Sequence, residues 1–323
     1  MLAYPPRVGI VRRMESTWDC IVVGGGAAGL SAALVLGRAR RRTLVIDGGR
    51  PSNAVAAGIG GLLGQDGRPP AEFYAAGRAE LSAYPTVEVR TGEVVGGGRD
   101  EDAFVLAFGD GTTETTRRVL LATGMDYRRP DLPGIEERWG RSVFHCPFCH
   151  GWEVREQPLG VLDRGASGTH RALLLAMWSD DITLFADGPA ELDPADAERL
   201  RRAGVTVEER RVTALRGPGD ELRAVVFADG DERPCAGMLV PVTLHQRSAL
   251  AAALGVDLAP PGPLAADAVA VAGMGATSVP GVFAAGDAGG VMPSVANAVA
   301  AGSTAAAGVV QSLMAEAHGM VLP

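Results

Sequence analysis

Apolar runs and helix-length segments alternate along the chain, which predicts an α/β protein. Cys20–Val23 is a short apolar strand, followed by a glycine turn and a helix over 30–37. A second strand is expected at 43–46. Segments 87–92 and 104–108 predict strands of an antiparallel layer, closed by the turn Gly109-Asp110-Gly111. A further buried strand over 119–122 stops at Thr123-Gly124. The proline- and charge-rich stretch 127–141 reads as a linker. A second unit then repeats the order: strand Leu159–Leu162, a glycine-containing turn, a helix over 170–179 and strand Ile182–Phe185. Later, a strand over 281–286 ends on Asp287 and leads into a long alanine-rich helix.

The length of 323 residues suits two domains. The simplest layout is a split domain, 15–127 with 246–323, and an inserted domain over 128–245. A net charge of −8 argues against nucleic-acid or anionic-membrane partners, which need a basic face. No apolar run of about 18 residues is free of charges and glycine breaks, so no membrane span is expected. Residues 1–13 hold arginines and prolines but no apolar core; they are expected to be an extension before an alternative start at Met14 of a cytoplasmic chain. Of the four cysteines, Cys20 and Cys235 stand apart in apolar stretches, as small buried hydrophobes do. Cys146 and Cys149 share one motif.

The turn Gly24-Gly-Gly26-Ala27-Ala28-Gly29 follows a strand and opens a helix. Glycines at 24, 26 and 29 allow a tight turn, close approach of a pyrophosphate, and helix–strand packing. The diphosphate would sit at the helix N-terminus. Asp47, at the end of the next strand, is placed to accept hydrogen bonds from a ribose. The competing reading is a glycine-rich turn with no ligand.

The segment His145-Cys146-Pro-Phe-Cys149-His150-Gly-Trp152-Glu153 admits several readings. Cys-x-x-Cys-His is the attachment pattern of c-type haem, which requires export. A zinc site wants a second ligand pair, and His170, Cys235 and His245 lack the spacing. Inert core cysteines fit poorly with flanking histidines. A redox pair uses every residue: the spacing closes a small disulfide ring, proline stiffens it, and an imidazole exchanges the thiol proton. Trp152 either lines this site or packs elsewhere. His170 is expected at a helix start in a structural role, and Trp178 in a helix core.

Together with Leu120-Leu-Ala122-Thr123-Gly124 and Gly281-Val-Phe-Ala-Ala-Gly286-Asp287, these motifs resemble the two-domain FAD/NAD(P) disulfide reductases, in family order from about Asp19 to the last helix. The fold this implies is the Rossmann-like FAD/NAD(P)-binding fold of the small thioredoxin reductases, a homodimer. By that resemblance Asp287 holds the ribityl and pyrophosphate part of FAD, and Val295 and Ala296 direct backbone N–H groups at the flavin. Gly48 and Asn53 fall in the matching segment Asp47-Gly-Gly-Arg-Pro-Ser-Asn53. Small thioredoxin reductases carry aspartate where this chain has His150. Cys-x-x-Cys-His is similar to the dithiol oxidases that close the disulfides of gliotoxin, holomycin and romidepsin, enzymes of natural-product biosynthesis. Gly64-Gln-Asp-Gly67 and His245-Gln-Arg-Ser248 agree with it.

The resemblance implies that Cys146 exchanges with substrate, Cys149 faces the flavin, His150 is the acid/base and His145 a helper. A small-molecule dithiol would be the substrate and oxygen the electron acceptor. In the inserted domain the turn Leu162-Asp163-Arg164-Gly165-Ala166-Ser167-Gly168 puts a carboxylate at the first glycine position. The segment after Phe185 is acidic where a 2′-phosphate would need bases. Both features argue against NADPH, while a divergent site for NADH stays open. So do two rival functions, an NAD(P)H-dependent disulfide reductase and a flavin redox sensor without turnover.

Overall fold

A computed structural model describes residues 18–290 and 292–321. The expected extension, Met14 and the start of the 15–127 segment lie outside the described residues.

Among the described residues the first parallel sheet has five strands. Their spatial order is Val282–Ala284, Val119–Leu121, Cys20–Val23, Thr43–Asp47 and Val87–Thr91. A parallel sheet is covered on both faces, which is why its inner strands are apolar without alternation. Helices Ala27–Arg38 and Val295–His318 cover one face. A three-stranded antiparallel sheet, Val94–Asp100, Ala103–Phe108 and Thr113–Thr116, supplies Phe104, Leu106 and Phe108 to the other. The strand Val282–Ala284 comes from beyond the 128–245 segment, so the first sheet is finished by chain on both sides of it.

A second parallel sheet runs Thr206–Glu208, Ile182–Phe185, Leu159–Leu162, Gly237–Leu239, Val143–Phe144. Strands Val212–Arg216, Ala224–Phe227 and Glu232–Pro234 pack on one face, and helices Gly165–Leu175 and Pro194–Arg202 on the other. Met125–Arg128 pairs antiparallel with Thr243–Gln246 where the chain passes between the units and returns.

Several expectations need correction. Val87–Thr91 is the edge of the parallel sheet, not part of an antiparallel layer, because it pairs in parallel with Thr43–Asp47. The stretch 127–141 is packed structure rather than linker. It opens with a paired strand, and buried Arg138 donates to the carbonyls of Glu221, Gly134 and Gly217. The second unit's helix spans Gly165–Leu175, starting five residues before the expected 170. Its glycine turn opens directly into the helix, so His170 is an exposed mid-helix residue and Trp178 lies past the helix end. The last helix is long and apolar enough to cross a membrane by length and composition. Its glycines do not break it: a Cβ on Gly302 would meet the Ala28 carbonyl oxygen at 2.0 Å, so the helix backbones touch there. Ala305, Ala306, Val309 and Leu313 of that helix are core residues.

Candidate active site

The first glycine turn does three separate jobs. Gly24 has φ +115°, and a Cβ on it would meet the Ala122 carbonyl oxygen at 2.1 Å. A Cβ on Gly29 would strike the Gly24 carbonyl at 1.8 Å, so Gly29 lets helix and strand pack and does not reach a ligand. A Cβ on Gly26 meets nothing within 4 Å, because the backbone there faces open space. Gly26 also precedes a helix whose N-terminus no side chain caps. Free N–H groups beside open space are what a diphosphate requires.

That space belongs to a cavity of about 310 Å³ at the carboxyl edge of the first sheet. Of the expected cofactor residues, Gly24, Gly26, Ala27, Ala28, Asp47, Gly48, Asn53, Ala122, Thr123, Gly124, Gly286, Asp287 and Val295 line it. Gly29 and Ala296 do not; the helix turns Ala298 to the cavity instead. Asp47 accepts from the Gly49 N–H at 2.8 Å and pairs with Arg78 at 3.3 Å. Asn53 accepts from the Tyr74 hydroxyl at 2.9 Å. Burial raises the Asp287 carboxyl above its usual value, against the lowering by Tyr127 and Arg247. Tyr127 donates to Asp287 at 2.8 Å. The cradle, the two helix N-termini and the carboxylates at both ends fit FAD.

Sequence reasoning passed over Tyr127, Tyr74, Arg247 and the 58–60 loop, all in the cavity wall. Arg247 lay in a quoted segment without a role; it donates to the Arg50 carbonyl at 2.6 Å. Gly58 and Gly60 carried no spacing signal, because their task is to let backbone approach backbone.

Cys146 and Cys149 form a disulfide, with Cα atoms 5.4 Å apart. Cys146 precedes the one-turn helix Pro147–His150, and proline at its first position suits the turn. Cys149 lines the cavity; Cys146 does not. His145 and His150 both line it. His145 packs against Tyr127, ring centroids 4.9 Å apart, and stacks on Trp139 at 5.6 Å. Burial, then the charges of His150 and Arg171, push His145 down to about 4, so it is neutral.

His150 stacks on Phe144 at 5.5 Å. Trp152 is 65% exposed with Arg155 over its ring, and is not part of the cavity wall. Burial also lowers His150, opposed by the Glu153 charge and by the carbonyls of Gly140 and Cys146. Its Nε2 lies 3.1 Å from the Gly140 oxygen. A carbonyl only accepts, so Nε2 carries the hydrogen and Nδ1 keeps the lone pair. Nδ1 is buried and has no partner among the described residues. Cys20 and Cys235 are free and buried, and burial pushes both thiols up, Cys235 to about 12. Thiols so raised are poor nucleophiles.

In the second unit Asp163 follows its strand as expected, with its carboxylate 3.2 Å from Arg171. The acidic segment folds back over the helix that follows. The Gly165 N–H donates to the Ala190 carbonyl at 2.8 Å, and Arg164 reaches the Asp187 carbonyl at 3.2 Å and Glu191 at 3.5 Å. Asp187 is itself held by the Val212 N–H at 2.8 Å.

A nucleotide cradle, a flavin-sized cavity and a disulfide in its wall define a flavin-dependent thiol–disulfide oxidoreductase. Residues 18–302 match the pyridine nucleotide-disulphide oxidoreductase family, and the chain belongs to it. It is thioredoxin reductase-like. It is 32% identical to the thioredoxin reductase tcpT of Claviceps purpurea, over 93% of this chain and 96% of that protein. The crystal structure of an oxidoreductase from Agrobacterium tumefaciens superposes with a TM-score of 0.87 at 36% identity, covering 92% and 99% of the two chains. That of HlmI does so with a TM-score of 0.85 at 39% identity, covering 94% and 95%.

Proposed function

We propose that the chain oxidises a small-molecule dithiol to its disulfide, with oxygen as final acceptor and no use of NADPH. The observation that carries this reading is the closure of the second nucleotide site by its own chain. The N–H that opens the Gly165–Leu175 helix is bonded to Ala190, and the loop after Phe185 brings carboxylates rather than bases. A phosphorylated dinucleotide would have to displace that loop and face like charge. The disulfide, by contrast, adjoins a cavity fitted for flavin.

In this reading a substrate thiolate attacks Cys146 Sγ and Cys149 leaves as thiolate, giving a mixed disulfide. The second substrate thiolate attacks the substrate sulfur of that bond, closing the substrate disulfide and releasing Cys146. Two electrons and two protons have left the substrate, and the cysteine pair is reduced. His150 Nδ1 takes a thiol proton, and the Gly140 carbonyl holds the ring by Nε2. His145 packs in the wall and stays neutral. FAD, held by the turn at Gly24 and Gly26 and by Asp47 and Asp287, would supply the two-electron sink for the reduced pair, with oxygen as the final acceptor.

The same reading divides the chain into a flavin domain, 15–127 with 246–323, and an inserted domain, 128–245, in a cytoplasmic homodimer of natural-product biosynthesis. The relative tcpT carries the name thioredoxin reductase, which favours a second reading, a disulfide reductase driven by NAD(P)H. Anaerobic stopped-flow separates the two. Dithiol should bleach the flavin fast and NADPH slowly; bleaching within seconds at micromolar NADPH would install the reductase reading.

A further inference from the structure

Tyr127 stands where the two units join and reaches two parts of the site. It lies on the strand Met125–Arg128, opposite Leu244 of Thr243–Gln246, in the ribbon where the chain passes from one unit to the other and back. Its side chain and that of Trp139 pack against the small core of Met125, Val242, Leu244 and Ala268. That packing anchors the ring, and Tyr127 also lines the flavin-sized cavity.

The Tyr127 hydroxyl donates to Asp287 Oδ2 at 2.8 Å, and among the described residues no other hydrogen bond or ion pair engages that carboxylate. Oδ1 is thus left for a ligand in the cavity that Asp287 lines. Burial, followed by the charge of Asp287, pushes the Tyr127 phenol up, so it keeps its proton and stays a donor. Such a charge-assisted bond is about twice as strong as one between neutral groups. The ring of the same residue meets His145, centroids 4.9 Å apart, and Trp139 stacks on His145 at 5.6 Å. Burial holds His145 neutral, so both contacts are ring packing. Cys146 is the next residue, and Pro147 after it opens the one-turn helix. One side chain therefore contacts both the carboxylate that the cofactor would use and the residue that leads into the disulfide.

We propose that Tyr127 is a positioning residue for both halves of the site: its hydroxyl orients the Asp287 carboxylate for the cofactor, and its ring, with Trp139, holds His145 and so seats the cysteine turn at the cavity. The inference needs FAD in the cradle but not the dithiol-oxidation reading. A reductase would use the same residue in the same way.

Diluting the holoenzyme and following the fluorescence of released FAD gives the dissociation constant. Tyr127→Phe, which removes only the hydroxyl, should raise it by about tenfold, the size of one hydrogen bond to a charged group. In an Asp287→Asn background, where the acceptor is neutral, the same change should cost only about threefold. A general packing defect would cost the same in both backgrounds. For the turn, the holoenzyme is saturated with FAD, reduced anaerobically with a phosphine and alkylated with iodoacetamide, and the loss of the Cys146 and Cys149 thiols is timed. Tyr127→Phe keeps the ring and should react within about twofold of the wild-type rate. Tyr127→Ala, or Tyr127→Leu should the alanine variant fail to fold, frees His145 and should react about fivefold faster. Wild-type FAD affinity in Tyr127→Phe, equal costs in the two backgrounds, or wild-type alkylation once the ring is removed overturns the proposal. Rapid bleaching by NADPH would instead remove the oxidase reading and leave this inference standing.

Discussion

Gly60 lies directly against Cys149: a Cβ built on Gly60 would meet the Cys149 carbonyl oxygen at 2.8 Å and its Cα at 3.2 Å. Backbone on both sides leaves no flexible side chain to yield. The 58–60 loop thus limits how closely the cysteine turn approaches it.

Gly60→Ala should therefore displace the turn while leaving the nucleotide cradle intact. Displacements of about 1 Å at a reacting group cost up to about 10²-fold in rate. We expect anaerobic flavin reduction by dithiol to slow by about ten- to a hundredfold, with FAD retained. A variant with the wild-type rate would show that the contact does not set the geometry.

The cysteines should divide their roles by exposure to the cavity. Cys149 lines it and Cys146 does not. Serine at either position should abolish turnover and leave FAD bound. A long-wavelength absorbance band from a thiolate beside the flavin should appear in Cys146→Ser and be missing from Cys149→Ser. The band in the opposite variant would exchange the two assignments.

Gly302 tests the helix contact behind the cradle. A Cβ there would meet three backbone atoms of Ala28 at 2.0, 2.8 and 2.9 Å. Overpacking a core typically costs about 1–3 kcal/mol, and here the strain falls on the helix whose N-terminus faces the diphosphate site. Gly302→Val should lower the urea midpoint and weaken FAD retention together. Loss of stability with unchanged flavin affinity would mean that the strain relaxes away from the cradle.

What was legible in the sequence was whatever spacing encodes. Gly24 and Gly26 keep a fixed offset because one turn imposes it, Asp47 ends the strand that follows, and the cavity contains all three. Cys146 and Cys149 pair because i, i+3 lets them. Contacts that depend on tertiary approach left no such trace. Tyr127 reaches Asp287 across 160 positions, and Gly140 fixes the ring of His150 through a carbonyl that every residue type possesses. The 127–141 stretch looked like linker because its turn residues are linker residues; buried Arg138, bonded to three carbonyls, is what packs it. Ala296 fell outside the wall because helix phase places Val295 and Ala298 there.

The two histidines should separate by pH. His145 titrates near 4 in the fold, below its ordinary value of about 6.5, with burial the main cause. Between those values the unfolded chain binds a proton that the folded one does not, so stability rises with pH through this window. The stabilising contribution is complete above about pH 6.5 and is lost as pH falls toward 4. Going from pH 7.5 to 5 should cost the wild type about 2 kcal/mol through this residue, and His145→Phe should flatten that slope in urea melts. His150 is lowered as well, so it is neutral at assay pH with Nδ1 open to a proton. His150→Ala should slow the dithiol half-reaction by about 10²- to 10⁴-fold at neutral pH. The rate should recover partly as pH rises, because dithiols then ionise without a base, while His145→Phe keeps the wild-type pH profile. If His150→Ala retains both rate and profile, Nδ1 is not the base, and the proton leaves the thiol by another group.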